Sequence, residues 1–227
     1  MYGTPHEVPG KGEQLRRLRK LNHGFGDVQS LPRDIAMIEI RGFVLVHWEG
    51  VRENIDGKMS SVANAYALII DLRENRGGDL ETVALIASYL MGDDATVWLA
   101  KKNPSDGLTQ NIYTTPVATE KRLSLEKPIF ILTSSQTISG GEDIAYGLQV
   151  RERAKVVGEK TAGAANLPRA CALNDNFVLF VPHMQAISPV TRSSWEGVGV
   201  VPDVEVSTEL AFYTAQRLAR EKTEVSV

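Results

Sequence analysis

One architectural unit occurs twice in this chain and constrains its fold more than any other feature. In the first copy the continuously apolar run Tyr66–Leu72 leads into Arg73-Glu74-Asn75-Arg76-Gly77-Gly78-Asp79. Leu80, Val83, Ala84, Ala87, Leu90 and Met91 then recur on one helical stripe. In the second copy Ile129–Leu132 is followed by the polar turn Thr133–Thr137, then Ile138-Ser139-Gly140-Gly141-Glu142 and the helix-spaced Ile144 and Leu148. Runs this apolar read as strands buried on both faces, and strand, loop and helix in alternation predict an α/β domain with a largely parallel sheet.

The flanking sequence extends the pattern. Ile35–Ile40, Lys155–Gly158 and Phe177–Val181 read as further strands, and Val97–Leu99 and Asn111–Tyr113 as shorter ones within the polar connection 93–127. Val51, Ile55, Met59 and Val62 predict a helix running to Asn64, and 210–220 predicts a closing helix. The expected division is a lead-in with a short basic amphipathic helix (Glu13–Leu21) over residues 1–30, and one domain over 31–227.

With 43% hydrophobic content the chain can bury a sizeable core, and a formal charge of -3 with scattered basic residues argues against a nucleic-acid partner. Cys171 is the single cysteine, so no intrachain disulfide forms. No apolar run approaches a membrane span, and Met1–Gly12 has no signal-like core. As written the chain is expected in the cytoplasm; a trimmed periplasmic or secreted protein would read identically. No histidine pair has metal-ligand spacing and no phosphate or dinucleotide loop is present, so no metal or cofactor is expected.

In an α/β sheet, ligands gather at the carboxyl ends of strands, where both special loops begin. Ser139 at its strand-to-helix turn has two readings. With Glu142 it fits the S-x-x-E capping box; facing a cleft, it is a nucleophile beside helix N-terminal amides. Gly77-Gly78 is either a positive-φ turn or, if the two strands are neighbours, a source of N–H groups that converge with Gly140 on one oxygen.

Four segments in order carry a family resemblance: Leu68–Gly78; Leu132–Ser134 with Thr137–Glu142; Val157–Gly163; and Trp195–Asp203. Together they resemble the serine peptidases that comprise tail-specific (C-terminal processing) proteases, tricorn core proteases and interphotoreceptor retinoid-binding protein. Asn22–Phe25, Arg41–Phe43 and Ser188–Thr191 look most like the bacterial retinoid-binding-protein-like branch. The resemblance implies a crotonase-like βαβ spiral, Ser139 as nucleophile, and the amides of Gly140 and of Gly77 or Gly78 as oxyanion donors.

Two positions depart from the family pattern. Ala164 and Ala165 stand where tail-specific proteases place an activating lysine, with Lys160 displaced from it, and Glu39 stands on the early strand that carries a histidine in the tricorn branch. Glu196 matches a late acidic position, where it either orients a base or caps its loop. Of His6, His23, His47 and His183, the last lies nearest Glu196 in sequence and is the candidate base; His23 and His47 read as packing residues. Asp71 and Arg73 are expected to pin the glycine loop, and Trp48, Trp98 and Trp195 are either core or pocket lining.

The resemblance thus implies a serine peptidase acting on peptides or unfolded proteins. The alternative is a catalytically silent module that binds a hydrophobic ligand or peptide in the same cleft. Relatives carry a helical region ahead of the first motif, so an N-terminal portion, with a base or an export signal, is a further expectation. The residues that contact substrate and the oligomeric state are unknown at this level.

Overall fold

The computed structural model of the chain describes residues 16, 20–174 and 177–224. Most of the lead-in and of the basic helix expected at Glu13–Leu21 lies outside them. Among the described residues ten strands form two sheets. β1 (Gln29–Leu31), β2 (Ile35–Glu39), β3 (Ala67–Asp71), β6 (Ile129–Thr133), β7 (Lys155–Gly158) and β10 (Val204–Glu205) make a six-stranded sheet in the order β1-β2-β3-β6-β7-β10. All neighbours are parallel except the edge pair β1–β2. β4 (Val97–Lys102), β5 (Thr109–Tyr113), β8 (Leu167–Asn174) and β9 (Phe177–Ile187) form a second, antiparallel sheet in the order β5-β4-β9-β8.

Side chains in the main sheet alternate between two cores, as the period of a strand requires. Ile35, Met37, Ala67, Ile69, Phe130 and Leu132 pack with Ala211, Ala215 and Ala219 of the C-terminal helix α4 (Thr208–Glu224). The three alanines sit four residues apart, so one narrow stripe of small side chains meets the sheet. Ile38, Leu68, Ile70, Leu72, Ile129 and Ile131 face the other way. There they meet α1 (Val51–Val62), α2 (Leu80–Ser88) and α3 (Gly140–Gln149), together with Trp98 and Leu99 of the second sheet. The apolar positions expected of α1, namely Val51, Ile55, Met59 and Val62, are its buried residues.

The sequence reading of a largely parallel sheet describes only the first of these sheets. The second depends on β8, which was not anticipated: Pro168, alternating small residues and exposed positions along Leu167–Asn174 give no apolar period, and the strand exists through its pairing with β9. His47, expected to pack, is exposed. Among the described residues no helix is long and apolar enough to cross a membrane.

The register that matters is β3 against β6, with Asp71 opposite Leu132. The two strands end level, and the glycine loop and the serine turn leave from adjacent points on the same edge.

Candidate functional site: a serine turn facing a glycine loop

The two loops are stitched together before any side chain enters a cleft. Thr137 Oγ1 donates to the Leu72 carbonyl (2.8 Å) and Ser134 Oγ to the Arg73 carbonyl (2.6 Å), fastening the serine turn to the end of β3. Arg73 makes a two-toothed contact with Asp71 (2.9 and 2.6 Å) and donates to the Thr208 carbonyl (2.9 Å), which ties the loop's base to α4. This is the pinning role expected of Asp71 and Arg73. The carboxylate raises the Arg73 pKa, through its hydrogen bond foremost.

Ser139 is held at φ 56°, ψ -117°, a left-handed conformation that a residue with a Cβ adopts only when its surroundings impose it. Glu142 does much of the imposing. Its fully buried carboxylate accepts the Ser139 N–H (2.8 Å), the Thr161 hydroxyl (2.6 Å) and the amides of Gly163 (2.6 Å) and Ala164 (2.9 Å). The Glu142 half of the capping motif is therefore formed. The Glu142 N–H itself goes to the Ser139 carbonyl (2.9 Å), so the helix start is satisfied through the serine backbone.

Across from the serine, the glycine loop approaches to contact distance. A Cβ on Gly77 would lie 2.7 Å from Ser139 Cβ and 3.0 Å from its Oγ, and one on Gly140 would lie 3.2 Å from the Gly78 nitrogen. Only glycine fits at Gly77, which also sits at φ +82°. The two glycines differ in their hydrogen bonding: the Gly77 N–H is taken by Asn75 Oδ1 (2.8 Å), whereas among the described hydrogen bonds the amides of Gly78 and Gly140 have no acceptor. Two unused N–H groups thus converge beside the serine, one of them at a helix N-terminus, where the macrodipole favours negative charge.

Ser139 opens onto a pocket of about 170 Å³ lined by Gly78, Leu80, Leu99, Ala165, Asn166, Leu167, Pro168, Ala186 and Trp195. None of these is charged. On the far side of Gly77 lies a second, apolar cavity of about 280 Å³, lined by Leu21, Gly24, Arg41, Gly42, Phe43 and Val44. A roomier cavity of about 580 Å³ near Arg122 and Lys127 shares no residue with either and contains none of the sequence-derived candidates.

Ser139, Gly140, Gly77 and Gly78 are therefore brought together. Glu196 stands behind the pocket wall: its Oε2 accepts the amides of Ala165 (2.7 Å) and Asn166 (2.8 Å), which belong to the loop after β7 rather than to its own loop beside Gly197. With Glu142 it holds four successive amides, Gly163 to Asn166. His183 is not brought to the pocket. It is exposed on β9 where the β8–β9 register shifts, with Nδ1 3.0 Å from the Leu167 carbonyl, and it is not among the residues lining the pocket. Ala165 lines the pocket where relatives of the tail-specific type place lysine, while Lys160 is exposed. Of the tryptophans Trp195 lines the pocket; Trp98 is core, with Nε1 donating to Asp143 (3.1 Å). Among the described residues no group of His, Cys, Asp or Glu could hold a metal ion.

The site is thus a serine turn set against a glycine loop at the carboxyl edge of a mixed α/β scaffold. The model of Peptidase family S41 matches residues 34–206, and the chain belongs to that family. It is 29% identical over 169 residues to the chloroplastic carboxyl-terminal-processing peptidase 2 of Arabidopsis thaliana, covering 74% of this chain and 31% of that one. With the carboxyl-terminal-processing protease of Synechocystis sp. it shares 28% identity over 145 residues, covering 64% of this chain and 32% of the other. The chain thus spans about a third of the length of these relatives.

Solved structures agree on the fold. The photosystem II D1 C-terminal processing protease superposes with a TM-score of 0.62 at 19% identity, over 78% of this chain and 43% of that one. A lipoprotein from Streptococcus agalactiae gives 0.68 at 19% identity, over 92% and 74% of the respective chains.

Proposed function

We propose that this chain is the catalytic portion of a serine peptidase. Ser139 Oγ attacks the scissile carbonyl carbon, the carbonyl π electrons move onto its oxygen, and the amides of Gly78 and Gly140 hold that oxyanion. Collapse breaks the C–N bond and expels the amine, which takes up the proton that the Ser139 hydroxyl gave up on attack, and leaves an acyl-serine that water hydrolyses to the carboxylic acid and the free Ser139 hydroxyl. The observation that carries the reading is the pair of unused amides facing a serine locked at positive φ. Donors set in advance where charge develops are worth about 3–4 kcal/mol each in hydrolases of this kind.

Glu196 enters as a positioning residue that shapes the pocket wall, and His183, which is not among the residues lining the pocket, is given no step. Family membership favours the peptidase over the silent binding module. Substrates in this proposal are peptides or unfolded proteins, whose chain crosses Gly77 with a small or medium apolar side chain in the Ser139 pocket. Further parts of the proposal are the crotonase-like spiral as the fold's finer description and a catalytic domain over 31–227. Likeness to the retinoid-binding branch rests on Asn22–Phe25, Arg41–Phe43 and Ser188–Thr191 alone.

The test is turnover of a quenched fluorescent peptide library. Wild type is expected to cleave and Ser139→Ala to be silent; equal cleavage by both proteins would remove Ser139 from the chemistry.

A further inference from the structure

Asn75 is buried completely and every polar group it owns is used, each on a different part of the site. Its N–H donates to the Leu72 carbonyl (2.9 Å), at the end of β3. Its side-chain Nδ2 donates to the Ile40 carbonyl (2.8 Å), just past the end of the neighbouring strand β2. Its Oδ1 accepts the Gly77 N–H (2.8 Å), and its own carbonyl accepts the N–H of Ile138 (3.2 Å), the residue before Ser139. The side chain also lies under the first turn of α3, where a Cβ on Gly141 would come within 2.6 Å of Oδ1.

These bonds have one geometric result. By taking the Gly77 N–H, the carboxamide leaves Gly78 to present the glycine loop's unspent donor toward Gly140. Through Ile138 the same residue holds the serine turn, so both halves of the site are referred to one side chain. Neither a carboxylate nor a small side chain reproduces this. Aspartate keeps an acceptor for Gly77 but sets an oxygen against the Ile40 carbonyl, and alanine does neither.

We propose that Asn75 is the positioning residue that aims the Gly78 amide at the oxyanion and keeps it in register with Ser139. The inference rests on the peptidase reading and deepens it. Because Asn75 acts through Gly78, its removal should impair stabilisation of the oxyanion rather than access to the pocket.

The experiment labels the full chain and its Asn75→Ala and Asn75→Asp variants with a fluorophosphonate, separating the maximal labelling rate from the half-saturating probe concentration. It then records the ³¹P resonance of the Ser139 adduct, whose phosphoryl oxygen samples the surrounding donors. Since losing one such donor costs on the order of 10²–10³ in rate, Asn75→Ala is expected to lower the maximal rate on the order of tenfold to a hundredfold at unchanged half-saturation. Its ³¹P resonance should move. Asn75→Asp, which keeps an acceptor for Gly77 but sets an oxygen against the Ile40 carbonyl, should move the resonance less and lose less rate than Asn75→Ala.

Should Asn75→Ala not fold, the near-isosteric Asn75→Asp carries the test through its resonance. A wild-type rate and resonance in Asn75→Ala, or in Asn75→Asp where Asn75→Ala does not fold, overturns the inference alone. Absence of any label on wild type overturns the peptidase reading and the inference with it.

Discussion

Asp143, in the first turn of α3, is 1% exposed, and the only partner of its carboxylate among the described hydrogen bonds is the indole N–H of Trp98, 3.1 Å from Oδ2. Burial pushes its pKa up to about 7 from an ordinary 3.8, against smaller downward pulls from that bond and from Arg151. The folded chain therefore keeps the proton to about pH 7, whereas the unfolded chain releases it near 3.8. Between those limits unfolding sheds a proton, so this group's contribution to stability is fully present below about pH 4 and is lost as the pH rises through 7. A difference of about three units at about 1.4 kcal/mol per unit amounts to roughly 4 kcal/mol.

Asp143→Asn keeps an acceptor for Trp98 and removes the titration. Urea unfolding at pH 4, 6 and 8, followed by tryptophan fluorescence, should show the variant gaining on wild type by roughly 4 kcal/mol across that range. Every other ionisable group is common to both proteins and cancels in the difference. Parallel pH profiles for the two proteins would refute the reasoning and place Asp143 in an environment that accepts its charge.

Three further outcomes follow from the packing. Gly147→Ala would set a Cβ 2.3 Å from the Trp98 ring, and it should cost about 1–3 kcal/mol in urea midpoint analysis, with activity following the folded fraction. Gly77→Ala places its Cβ 2.7 Å from Ser139 Cβ at φ +82°, so serine labelling should vanish at temperatures where circular dichroism still reports a folded chain. Glu196→Ala strands the amides of Ala165 and Asn166 at about 1–3 kcal/mol of local cost; it should raise KM for peptides more than it slows labelling by a small fluorophosphonate.

What could be read from the sequence divides along physical lines. The buried strands at Ala67–Asp71 and Ile129–Thr133 and the helix at Val51–Val62 announce themselves because burial on both faces, or on one helical stripe, leaves a periodic apolar signal. Ser139 and the two glycines were legible as turn residues because turn chemistry is local, while their role in a site came from the family resemblance alone. β8 was not, since its stability lies in pairing with β9 rather than in its own residues. The choice between Gly77 and Gly78 was equally hidden: it turns on Asn75 Oδ1, a bond that exists only once the loop has closed. Where the His183 ring lies could not be read either: it is set by the register shift between β8 and β9, which rests its Nδ1 against the Leu167 carbonyl.

The central claim is that Ser139 is an activated nucleophile facing two prepared donors. Intact-mass analysis after fluorophosphonate treatment tests it most directly. The account predicts a single stoichiometric adduct on wild type and none on Ser139→Ala; an unlabelled wild type, under conditions where a known serine hydrolase labels fully, would contradict it.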